Sequence, residues 1–118
     1  MGEIDAEVLD ISQLRQFTAG EPALEREIAE LFAETSAGYV AAMVPDASDK
    51  AWHEAAHSLK GSARGIGAGR VAHLAAVAES LVGAEAEPAR RAAAQAALSQ
   101  AVADVVAALG RLTEGACD

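Results

Sequence analysis

Trp52-His53-Glu54-Ala55-Ala56-His57-Ser58-Leu59-Lys60-Gly61-Ser62-Ala63-Arg64-Gly65-Ile66-Gly67 is the stretch that decides the architecture. Trp52, Ala56, Leu59, Ala63 and Ile66 recur at spacings of four and three, the period of one buried face of an α-helix. Gly65-Ile66-Gly67 supplies the stop, because a glycine there is free to take the left-handed conformation that closes a helix. Upstream, Asp46 as N-cap with Asp49 in the first turn predicts a start near Ala47, with Ser48 as the alternative cap. The predicted helix covers about 47–65.

The flanking sequence repeats this pattern. A short helix over about Ile11–Thr18 carries Ile11, Leu14 and Phe17 on an apolar side, capped by Asp10 or Ser12. Gly20 breaks the chain, and Pro22 falls in a first turn, where its missing N–H costs least. A second helix, about 22–43, carries Leu24, Ile28, Leu31, Phe32, Thr35, Tyr39, Ala42 and Met43 on one stripe. Glu21, Glu25, Glu27, Glu30 and Glu34 give it a polar side and suit the N-terminal half of its macrodipole. Beyond Gly67, a helix over about 68–82 buries Val71, Leu74, Ala78 and Leu81. Pro88 opens a last helix, about 88–112, with Leu98, Val102, Val105, Leu109 and Leu112 on one face. The basic pair Arg90-Arg91 reads as a surface feature. Short links force antiparallel neighbours, so the expected fold is all-α: an up-down-up-down four-helix bundle with a short additional N-terminal helix.

Composition agrees. The 118 residues suit a single domain, 1–118, and 52 % are apolar but only 3 % aromatic, so alanine makes up much of the apolar content and favours helix over sheet. The net charge of −9 argues against nucleic acid and anionic membrane as partners. No apolar run reads as a membrane span, since charges and glycines interrupt each candidate. The start, Met1-Gly2-Glu3-Ile4-Asp5, lacks the charged and apolar regions of a secretory signal. The lone Cys117 suits a reducing compartment, and the expected location is cytoplasmic.

His57 lies five residues after Trp52, about 140° round the helix, so it points away from the core. Lys60, Gly61 and Arg64 follow at spacings of three, four and seven on the same face, and Lys50 and His53 extend it. This is a basic, histidine-bearing strip on an acidic protein. Gly61 costs about 1 kcal/mol against alanine in mid-helix, a cost explained by close approach of a partner. Neutral imidazole is a nucleophile near pH 7. Lys60 and Arg64 are placed to stabilise a phosphoryl group added to the ring. Phosphoryl transfer asks mainly for positioning and charge stabilisation, which an exposed histidine on a rigid helix can meet. Gly65-Ile66-Gly67-Ala68-Gly69 joins two helices with no strand before it and reads as a turn, so no nucleotide loop is present and no ATP-dependent kinase activity is expected.

The run His57-Ser58-Leu59-Lys60-Gly61-Ser62-Ala63, followed by Gly67-Ala68, resembles the histidine-containing phosphotransfer (HPt) domain family. The resemblance extends more weakly through the helix order. It implies a four-helix bundle with an extra N-terminal helix. His57 would be the phosphoacceptor, with Lys60 stabilising the phosphoryl group, Gly61 leaving room for it and Gly67 making the turn into the next helix. Glu79 takes a place where relatives carry a polar residue near the histidine; a carboxylate there orients the imidazole but repels phosphate. The implied partners are receiver domains of response regulators and hybrid histidine kinases. The implied chain is a monomeric phosphocarrier needing no cofactor, with any Mg²⁺ in the receiver. A phosphoacceptor domain of a chemotaxis-type kinase is a close alternative. A non-catalytic metal-binding or adaptor protein is a different one, since His53 and His57 stand i, i+4 and His73 can approach from the next helix.

Overall fold

The computed structural model describes residues 8–117, and among these it is all-helical with no strand. The start of the chain and the Cys117 side chain lie outside what it describes. Helix α1 (Ile11–Thr18) begins where the Asp10 carboxylate accepts from the Gln13 amide at 3.1 Å. It ends at Ala19 and Gly20, both at positive φ. Helix α2 (Pro22–Ala42) has Pro22 in its first turn, as the sequence requires. Helix α3 (Asp49–Ile66) is capped by Ser48, whose hydroxyl accepts from the Ala51 amide at 3.1 Å. Asp46 is therefore not the cap, and α3 starts two residues later than the pattern predicted.

Helix α4 (Gly69–Glu79) is shorter than the predicted 68–82. The Ser80 hydroxyl donates to the Val77 carbonyl at 2.7 Å, a local bond that competes with the helical ladder. A 3-10 turn, Gly83–Glu85, follows. Helix α5 (Pro88–Cys117) runs 30 residues, past the predicted end at Leu112. Pro88–Thr113 is long and apolar enough to cross a membrane by length and composition, which corrects the expectation that no segment reaches that threshold. Its Leu98, Ala101, Val105, Ala108 and Leu109 are nonetheless buried in the core.

α3 packs on α4 and α2, and α5 packs on α2 and α4, while α1 lies against α2 and α3. The α3–α4 seam is rich in alanine: Ala55, Ala56, Ala63, Ala72, Ala75 and Ala78 are all buried, which lets the two axes approach closely. Trp52 is fully buried there, its indole N–H donating to the Ala78 carbonyl at 2.7 Å. That bond satisfies the one polar atom of the largest core side chain.

Several sequence expectations fail at single residues. Leu31, placed in the α2 stripe, is 61 % exposed, whereas Ser36 is buried with its hydroxyl donating to the Phe32 carbonyl. Leu74 is only half-buried. Glu25, assigned to the polar side, is buried and accepts from the Thr18 hydroxyl at 2.9 Å, joining α1 to α2. Arg91, read as a surface residue, is also buried. Its guanidinium donates to the carbonyls of Leu81 (2.9 Å) and Ala47 (2.8 Å), pairs with Asp49 at 2.8 Å, and lies 4.7 Å from the Trp52 ring. Periodicity alone does not see Glu25 and Arg91, because each buries a charged group that is satisfied only by another element.

Candidate functional site

His57 sits in the middle of α3 with its side chain 64 % exposed. The buried stripe of Trp52, Ala56, Leu59 and Ala63 fixes the rotation of the helix and so turns His57 outward. Glu79, the last residue of α4, reaches across from the neighbouring helix. Its Oε2 is 2.7 Å from His57 Nδ1, and its Oε1 accepts from Lys60 Nζ at 2.6 Å. The alanine seam is what brings α3 and α4 close enough for this bridge.

The carboxyl pKa of Glu79 lies below its ordinary value of 4.5. The hydrogen bond from Lys60 is the largest cause and the bond to His57 adds to it, against the upward push of burial. An ionised carboxylate only accepts, so Nδ1 of His57 carries the proton and donates it to Glu79. In the neutral ring this leaves the lone pair on Nε2. His53 stacks on His57 with ring centroids 6.0 Å apart and planes inclined by 12°, and its Nε2 is 3.6 Å from Glu79 Oε2.

The remaining residues singled out in the sequence fall into two groups. Gly61 lies on the His57 face, where an added Cβ would meet nothing within 4 Å. Gly67 has φ +82°, and a Cβ there would come 2.9 Å from the Asp10 carbonyl oxygen. The Gly67 carbonyl also accepts from the Asp10 amide at 2.8 Å, so this glycine seats the start of α1 as well as turning the chain into α4. Arg64 is not gathered to Glu79. Its side chain is exposed, and its carbonyl accepts from Gln13 Nε2 at 2.6 Å. The strip is also less free of counter-charge than the sequence suggested: Lys60 is held by Glu79, and Lys50 is 4.0 Å from Glu54.

Beside this face lies an apolar groove of about 240 Å³, lined by Phe17 of α1, Ile28, Leu31 and Phe32 of α2, and Gly65 and Ile66 of α3. Phe17 and Leu31 are 65 % and 61 % exposed, whereas Leu14, on the same apolar side of α1 as Phe17, is buried. Gly65 is one helical turn beyond Gly61, which makes the groove contiguous with the histidine face.

The contact of His53 with Glu79 was missed in the sequence, where His53 was sought only with ligands from its own helix or from His73. The i, i+4 pairing of His53 and His57 was the available signal; the third partner depends on how α3 and α4 face each other. The profile of the Hpt domain family matches residues 24–111. Neither the curated proteins nor the solved structures yielded a match to the chain.

Proposed function

Because this chain belongs to the Hpt domain family, we propose that His57 accepts a phosphoryl group from a receiver-domain aspartate and passes it to another receiver. Hpt domains are phosphocarriers of His–Asp relays that interact with receiver domains, and they are not kinases. The observation that carries the residue assignment is the Glu79 bridge: Nδ1 of His57 is engaged on an ionised carboxylate while the side chain stays 64 % exposed, which leaves Nε2 as the nitrogen without that partner.

The step follows from that geometry. The Nε2 lone pair attacks the phosphorus of the aspartyl phosphate. The N–P bond forms as the bond from phosphorus to the aspartyl oxygen breaks, and the carboxylate leaves. The positive charge developing on the ring is met by Glu79 through the Nδ1 proton. Lys60 neutralises the other Glu79 oxygen, which answers the expected repulsion between a carboxylate and a phosphoryl group. Lys60 stands one helical turn from His57 on the same face of α3, the side from which a flexible ammonium could turn to the added group. Gly61 leaves the face open for the receiver, and Gly67 holds α1 in register beside it. Arg64 is a flanking cation on the exposed end of α3. The exposed Phe17 and Leu31 suit the apolar centre of a docking surface.

The cyclic packing of α2, α3, α4 and α5 with short links supports an antiparallel bundle carrying the site as one domain. The chain then acts as a cytoplasmic monomer, with Mg²⁺ supplied in the receiver's acidic pocket. The test is incubation with a phosphorylated receiver. The expected product is an acid-labile, alkali-stable phosphoprotein, absent for His57→Ala. No label on the chain with any receiver, or equal labelling of His57→Ala, contradicts the proposal.

A further inference from the structure

We propose that His53, His57 and Glu79 form a binding site for a divalent ion of the zinc class, and that the bound ion blocks phosphoryl acceptance. The first half stands on geometry alone; the second rests on the phosphotransfer reading above.

The two histidines are i, i+4 on an exposed helix face, with rings nearly parallel and turned to the same side. Glu79 enters from α4, and one ligand atom from each of the three residues lies within 4.8 Å of the others. A tetrahedral zinc ion with bonds of about 2.0–2.1 Å places its donor atoms about 3.3 Å apart. His53 Nε2 and Glu79 Oε2, at 3.6 Å, are already near that spacing. His57 Nδ1 and the same oxygen, at 2.7 Å, are closer because a proton lies between them. Replacing that proton by the ion opens the pair by roughly half an ångström. Both imidazoles are more than half exposed, so a fourth position is open to water.

Two nitrogens and one oxygen favour zinc, copper or nickel over magnesium, which prefers oxygen donors. Lys60 stays on Oε1 as the outer partner of the carboxylate, fixing its orientation. Its positive charge also opposes the ion, so the expected affinity is micromolar. The blocking follows from the ring itself. With Nδ1 on the metal, the one remaining proton of a neutral imidazole resides on Nε2, and the lone pair that attacks phosphorus is gone.

The experiment is a titration of the full chain with zinc chloride, followed by calorimetry and by the imidazole NMR signals. One ion is expected per chain, with the His53 and His57 rings shifting together and His73 unmoved. His53→Ala should weaken binding at least tenfold, and because His53 is exposed the variant keeps its core. Binding weaker than millimolar, a His73 signal that follows the same curve, or full affinity in His53→Ala overturns the site. Zinc-loaded chain, freed of excess metal, should accept label from a phosphorylated receiver at least tenfold more slowly than metal-free chain. Equal rates overturn the blocking. Failure of the metal-free chain to accept label counts against the phosphotransfer reading and leaves the titration result standing.

Discussion

Glu79 is the residue on which the chemistry of the site turns. One carboxylate serves two partners from α3, a cation and an imidazole, and those partners hold it ionised. Its folded-state pKa is depressed, so the stability it contributes is fully present above the ordinary value of 4.5 and is lost as pH falls through the lower folded value. Wild type should therefore be more stable than Glu79→Gln at about pH 5, by about 1–2 kcal/mol. The difference should shrink as the pH is lowered toward 3. Thermal melts of the two proteins across that range read it directly, and a gap that stays constant speaks against the ionised bridge. The sequence supplied His57, Lys60 and Gly61 through helical spacing, and Glu79 through resemblance. It did not supply the sharing of Glu79 between Lys60 and the two histidines, because that depends on the contact of two helices rather than on the order of residues in either.

At the level of elements, apolar periodicity located helices α1 to α5, and errors gathered at their ends, at buried polar groups and at single apolar positions such as Leu31. Asp46 and Ser48 are both good cap residues, and only the path of the α2–α3 link decides between them. Arg91 is the clearest case. Beside Arg90 at the start of a helix it looks like any solvated pair, and Arg90 does remain on the surface with Glu85. Arg91 instead reaches the carbonyls of Pro45, Ala47 and Leu81 and the carboxylate of Asp49, so one guanidinium ties the α2–α3 link, α3 and the segment after α4 to α5. Asp49 in turn accepts from the Gly83 amide at 2.9 Å. Replacing Arg91 by Met keeps most of the volume but leaves these acceptors without their donor. The expected loss is about 2–4 kcal/mol in urea denaturation. A loss below about 0.5 kcal/mol would mean that the latch carries no net stability.

Over the whole molecule, an acidic protein presents one face that differs from the rest. That face combines the histidine pair, the open patch at Gly61 and the apolar groove between α1, α2 and α3. The long axis of 50 Å runs close to the length of α5, which buries one face in the core, while the site is built on α3 and α4. The rotation of α3 that buries Trp52 thus also sets where His57 points. Under the proposed function, a receiver docked on that face meets Nε2 of His57, since Nδ1 is hydrogen-bonded to Glu79. The decisive measurement is phosphorus and nitrogen NMR of the phosphorylated chain. The N–P bond should appear on Nε2 of His57, with amide shifts gathered on α1, α2 and α3. A phosphoryl group on Nδ1, on His53 or on His73 would contradict the account.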